Sequence, residues 1–186
     1  MFYLFILVVI SQRLVELFVA RRNEVWMKAR GGIEFGKSHY RYMVLGHSLF
    51  FIGYIIEVNA FGKNISPAWP MLLLLFLITQ AGRLWALLSL GRFWNTKIIV
   101  VPQANVVKRG PYRFLKHPNY VVVAMEFIVI PLLFQAYLTA IVFSILNFLL
   151  MLIRIPLEEK ALAELTDYES QFGEEEKILA LFFKKV

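Results

Sequence analysis

Long apolar runs alternate along the chain with short, polar, mostly basic ones. Five runs approach the roughly 20 residues a helix needs to cross the hydrocarbon core of a bilayer, at about 1–20, 41–61, 69–90, 120–135 and 137–155. The fourth is short, and Pro131 near its end predicts a tight hairpin into the fifth. Between the third and fourth, "TKIIVVPQANVVKRGPY" carries two β-branched runs, Ile98–Val101 and Val106–Val107, split by Pro-Gln-Ala-Asn. That pattern predicts a short extended hairpin in the third loop. After Pro156 helical periodicity resumes at Leu157 in an acidic stretch that ends apolar and basic, predicting a cytosolic or interfacial helix over 157–186. The expected fold is a single all-α integral membrane domain over 1–186, with about five transmembrane helices.

Composition sharpens this reading. Hydrophobic residues make up 59% of the chain and charged ones 18%, too apolar a balance for a soluble domain. The net charge of +7 is concentrated in two connections. Arg21, Arg22, Lys28, Arg30 and Lys37 lie in the first, and Arg92, Lys97, Lys108, Arg109, Arg113 and Lys116 in the third. The second connection holds only Lys63, and the fourth has no charge. Because positive loops stay inside, the N-terminus is expected outside the cell membrane, with both basic loops and the C-terminus in the cytosol. Basic charge beside spans belongs to the membrane surface, and no nucleic-acid partner is expected. The lack of Cys excludes disulfides, thiolate metal sites and a Cys nucleophile. With three His and no carboxylate ligand set, no metal site is expected either. The segment from Met1 has no positive start and no small-residue cleavage site before Arg13, so it reads as a retained span.

Ionisable groups inside the spans are the first candidates for chemistry. Each costs about 2.5–3.5 kcal/mol at the bilayer centre and needs a partner or a role. Arg13 and Glu16, three apart, can pair on one helix face. Glu57 near the outer end of its helix is expected to reach water, while Arg83 and Glu126 need partners. Arg154 and Glu158 lie one turn apart at the cytosolic boundary, where a functional role is favoured. The first loop, "GGIEFGKSHY", combines bends with Glu34, His39 and Tyr40. It reads either as an amphipathic interfacial segment or as the wall of a substrate pocket.

The stretch "KRGPYRFLKHPNY" from Lys108 is both rigid and polar. Gly110-Pro111 forces a turn, and Pro118 can open the fourth helix, where its missing N–H costs nothing. Free N–H groups at that helix start, beside Lys108, Arg109, Arg113 and Lys116, favour an anion. The anion could belong to a small molecule or to lipid headgroups.

"RGPYRFLKHPNY", followed by two apolar runs and "RIPLEEKAL", resembles the isoprenylcysteine carboxyl methyltransferase family. The family pattern G-P-Y-x-x-x-R-H-P-x-Y, then R-x-x-x-E-E-x-x-L, falls on Gly110, Pro111, Tyr112, His117, Pro118, Tyr120, Arg154, Glu158, Glu159 and Leu162. The resemblance implies a membrane O-methyltransferase using S-adenosylmethionine at the cytosolic face. It implies cofactor contacts from Arg109, Gly110, Pro111, Tyr112, His117, Pro118, Tyr120, Glu158 and Glu159, with Arg154 and Glu158 in catalytic roles. Lys116 stands where the family has Arg, which removes a planar bidentate donor. After Leu162 the family's F-G-x-x-Y is replaced by a run ending in Leu165, Thr166, Asp167 and Tyr168. The acceptor is expected to be a prenylated substrate or a lipophilic small molecule, methylated at a carboxylate, phenol or enol oxygen, with Glu34, His39 and Tyr40 at its wall. Phospholipid N-methylation, NADPH-dependent lipid reduction and non-enzymatic lipid binding are the alternatives, the first separable by its amine acceptor and the other two by which cofactor, if any, binds.

Overall fold

The computed structural model describes residues 1–168 and residue 170. Five α-helices account for most of them: α1 (Phe2–Lys28), α2 (Lys37–Ala60), α3 (Trp69–Leu90), α4 (Pro118–Leu132) and α5 (Tyr137–Leu165). Four of these, α1, α2, α3 and α5, are long and apolar enough to cross a membrane. The chain is a multi-pass membrane protein. The fourth apolar run forms a helix of only 15 residues, about 22 Å at 1.5 Å per residue, against a hydrocarbon core of about 30 Å. Prolines set both of its limits. Pro118 occupies the first turn, and just past Pro131 the chain reverses, with Gln135 at φ +56° and the Ala136 N–H donating to the Pro131 carbonyl.

Helices α3, α4 and α5 pack side by side, with α2 against α5. Lipid tails are as apolar as the side chains they would replace, so contact between spans rests on packing rather than on escape from water. At the end away from the basic loops that packing is aromatic. Phe50 meets Phe127 edge-on at 4.8 Å, and Phe2 meets both Tyr54 and Phe134. Tyr54 is fully buried and donates its hydroxyl to the Ile130 carbonyl at 2.8 Å. Glu57 does not reach water as expected. It is buried at the start of α5, where it accepts from the backbone N–H groups of Leu138 (3.1 Å) and Thr139 (2.7 Å) and from the Thr139 hydroxyl (2.6 Å). A carboxylate there satisfies orphan donors and faces the positive end of the helix dipole.

Two expectations about the basic end are corrected. Ile98–Val100 does form a strand, β2, but its partner is not Val106–Val107. It pairs antiparallel with β1 (Ile33–Phe35) from the first loop, in the register Ile33↔Val100, Glu34↔Ile99 and Phe35↔Ile98. The inward residues Ile98 and Val100 bury against Leu157, Ala161 and Leu165 of α5, an apolar surface that a hairpin within the loop would not cover. Second, no separate helix begins at Leu157, since α5 continues through Pro156 to Leu165. Pro156 lies on the exposed side of the helix, so its ring takes no place in the packing between helices, and the lost N–H bond and the crowding of the carbonyl one turn earlier are local costs that α5 absorbs. The expected interfacial helix beyond residue 170 lies outside the described residues.

Candidate functional site

The site begins with the turn Gly110–Arg113, a single 3-10 turn ahead of α4. Gly110 has φ +58°, and a Cβ there would lie 2.0 Å from Ser89 Oγ and 3.1 Å from Trp85 Nε1, so the turn lies directly against α3. Arg109 reinforces the contact by donating from Nε to the Ser89 carbonyl at 2.7 Å. Pro111 and Tyr112 are buried beneath the turn. Burial, and then the nearby Glu158 carboxylate, push the Tyr112 phenol well above its usual range and keep it protonated. His117 is the N-cap position of α4 and Pro118 opens the helix, so His117 and Tyr120 share a face, their rings stacked at 5.2 Å and 18°.

Opposite them, α5 presents Arg154, Glu158 and Glu159 on successive turns. Tyr120 donates its hydroxyl to Glu158 and accepts from Arg154 Nε at 2.9 Å. Arg154 Nη2 donates to the Thr96 carbonyl at 2.7 Å, which ties α5 to the segment entering β2. His117 Nε2 lies 3.0 Å from Glu159 Oε1, and the Tyr168 hydroxyl donates to the same oxygen at 3.3 Å. Residues 38 apart in sequence are thus joined in one polar floor of Arg, Tyr, Glu and His.

The floor closes one end of a cavity of about 400 Å³, a size suited to one small-molecule ligand. Tyr112, His117, Tyr120, Arg154 and Glu158 line it, together with Lys116, Asn119, Thr96 and Lys97. Leu14 and Leu17 of α1 and Val44 of α2 also line it while being exposed on the outside of the bundle. The cavity is therefore open sideways between α1 and α2. Its inner end reaches Arg13, Glu16, Arg83 and His47, deep among the helices.

The sequence-derived residues separate by position. Arg109, Gly110, Pro111 and Pro118 lie outside the cavity lining and shape the turn and the helix start, and Glu159 lies behind His117. Tyr40 lines the cavity, with its hydroxyl 3.2 Å from Thr96 Oγ1. Glu34 does not line it. Glu34 pairs with Lys28 (2.9 Å) and Lys97 (3.5 Å), joining the basic loops to one another. Burial opposes its charge, but Lys28 and Lys97 hold the carboxyl below its usual range. His39 is also outside the lining, and both its ring nitrogens are buried without a hydrogen-bond partner among the described residues. Sequence reasoning missed Asn119, whose buried Oδ1 has no partner among the described residues, although it occupies the variable position of His-Pro-x-Tyr. It also missed Thr96, which holds Arg154 through its backbone carbonyl and Tyr40 through its hydroxyl, contacts across 58 and 56 residues that no local motif announces.

Residues 71–164, from α3 through almost all of α5, match the isoprenylcysteine carboxyl methyltransferase (ICMT) family. The chain is 51% identical over 164 residues to "Uncharacterized protein YpbQ" of Bacillus subtilis (strain 168), covering 88% of this chain and 98% of the relative. It is 26% identical over 158 residues to an "Uncharacterized protein" of Haemophilus influenzae (strain ATCC 51907 / DSM 11121 / KW20 / Rd), covering 84% and 92%. No solved structure matches.

Proposed function

The chain is a member of the isoprenylcysteine carboxyl methyltransferase family, membrane methyltransferases that use S-adenosylmethionine, and from that premise we propose that it methylates a carboxylate, phenol or enol oxygen of a lipophilic substrate. The observation that carries the reading is the polar floor of Arg154, Tyr120, Glu158 and His117 at the end of a cavity that opens sideways past Leu14, Leu17 and Val44. The residues present suit the cofactor. Glu158 and Asn119 Oδ1, which has no partner among the described residues, supply acceptors for an ammonium, ribose hydroxyls or an exocyclic amine. Lys116 and His117 supply donors for a carboxylate. The ring of Tyr112 offers a π face to a sulfonium.

When bound, the cofactor supplies an activated methyl group open to in-line displacement. The protein's share is alignment and exclusion of water. Arg154 is fixed by Tyr120 and Thr96 and can place an anionic oxygen at the floor. The guanidinium stabilises an anionic oxygen and offers nothing to a neutral amine, so oxygen is favoured over nitrogen. The acceptor oxygen can arrive already ionised, in which case no general base is required. The open side between α1 and α2 gives a membrane-dissolved substrate access without crossing the headgroup layer. With the basic loops in the cytosol, the floor lies at the cytosolic face.

The test is transfer of isotopically labelled methyl from S-adenosylmethionine in membranes containing the protein, compared with Arg154→Ala and Glu158→Gln. Label entering an organic-soluble product and lost in both variants supports the reading. Base-labile label marks a carboxyl ester, and base-stable label a phenol or enol ether. Label on an amine headgroup, or none with folded protein, overturns it.

A further inference from the structure

The cavity does not end in hydrocarbon. Arg13 and Glu16 of α1, Arg83 of α3 and Glu126 of α4 form a closed square. Arg13 contacts Glu16 at 2.7 Å and Glu126 at 2.5 Å, and Arg83 contacts Glu16 at 3.1 Å and also Glu126. Gln12 donates to Glu16 at 3.0 Å and Gln80 to Glu126 at 2.8 Å, so every carboxylate oxygen is engaged. The guanidiniums are not. Each has five N–H donors, and each gives two contacts to the carboxylates. Arg83 lines the cavity at 4% exposure, and its Nε is buried with no partner among the described residues. His47 lines the same end. Its Nδ1 bonds the Met43 carbonyl at 2.8 Å, which makes Nδ1 the donor and leaves Nε2 as the acceptor of the neutral ring.

An ion cluster serving only to join helices has no need to border a ligand cavity with donors to spare. Two Arg and two Glu already balance, so an anion added there would be an uncompensated buried charge. The complementary group is a neutral oxygen: a carbonyl, hydroxyl or ether. Its depth follows from the helices. Glu126 is six residues beyond Tyr120 on α4, and His47 seven beyond Tyr40 on α2, so the cluster lies about 9–10 Å below the floor.

Resting on the methyltransferase reading, we infer that the inner cluster is a substrate subsite and that the acceptor is a lipid carrying a second, uncharged oxygen at mid-chain depth, held by Arg83 and Arg13 beside His47. A plain hydrocarbon tail would leave those donors unmet.

The test is calorimetric binding to the full-length protein in lipid nanodiscs, using octadecanoic acid and three isomers bearing one oxo group near the carboxyl, at mid-chain or beside the terminal methyl. The expected result is that the mid-chain isomer binds tighter than octadecanoic acid by about tenfold or more, and tighter than both other isomers. In the charge-balanced pair Arg83→Gln with Glu126→Gln, the preference should fall to within about threefold. Equal affinities, no binding by any of the acids, or a preference kept in the pair would overturn the inference. The isomer series on wild-type protein decides the matter even if the pair does not fold. S-adenosylmethionine is titrated into the same samples. Selectivity without cofactor binding would sink the methyltransferase reading alone, and cofactor binding without selectivity would sink the subsite alone.

Discussion

Gly110→Ala is expected to do more damage than its single methyl suggests. The residue sits at φ +58°, where an L side chain costs about 1–2 kcal/mol. The added Cβ would lie 2.0 Å from Ser89 Oγ and 2.9 Å from Ser89 Cβ, an overlap relieved only by moving the turn off α3. Overpacking of this kind costs about 1–3 kcal/mol. Together the substitution removes about 2–5 kcal/mol, and its effect passes along a short rigid path through Pro111 and Tyr112 to His117 and Tyr120. Ser89→Ala removes the larger part of the overlap. The Arg109 anchor uses the Ser89 carbonyl, so Ser89→Ala alone is expected to be nearly neutral. In the double variant the 2.0 Å overlap is gone, while the 2.9 Å contact with the Cβ of residue 89 and the backbone strain remain. Thermal unfolding in detergent, with S-adenosylmethionine affinity as second readout, should place Gly110→Ala lowest and the double variant between it and wild type. Gly110→Ala matching wild type, or no recovery on adding Ser89→Ala, would refute the argument that this glycine is required by contact with α3.

Tyr120→Phe removes the hydroxyl shared by Arg154 and Glu158, leaving Arg154 Nε unpaired; methyl transfer is expected to fall about tenfold or more, with smaller loss of folded protein. Glu57→Ala uncaps α5 and should cost about 1–2 kcal/mol in unfolding measurements while leaving cofactor affinity unchanged, because Glu57 lies at the opposite end of the bundle. Glu34 has a lowered carboxyl pKa in the folded protein, so its stabilisation is fully present above the usual carboxylate range and is lost as pH falls through the folded value. Glu34→Gln should therefore flatten the acid limb of the stability–pH profile, as read by melting at stepped pH.

Where the sequence was legible, local chemistry was sufficient. Helix α3 runs over Trp69–Leu90 as expected, with Pro70 in its first turn and Gly91 at φ +55° closing it. The floor was legible because its members occur in two short motifs, and a one-turn spacing puts Arg154 and Glu158 on a common face. Pairing over long separations was not. Extended propensity at Ile98–Val100 was visible, but its partner Ile33–Phe35 lies some sixty residues earlier and gives no local sign of which strand it will meet. The intramembrane charges showed the same limit. Arg13 with Glu16 followed from spacing, whereas their joint closure with Arg83 and Glu126 depends on how three helices pack. Pro156 misled because its local cost is outweighed by the contacts that Leu157, Ala161 and Leu165 make with β2, and those contacts are tertiary.

The central claim is that the floor where α4 meets α5 holds S-adenosylmethionine, and calorimetric titration of the purified protein tests it most directly. Wild-type protein is expected to bind at micromolar concentration, with the heat lost in His117→Ala and in Glu158→Ala samples that melt as wild type does. Well-folded wild-type protein that takes up no S-adenosylmethionine, or variants that bind it undiminished, would contradict the account.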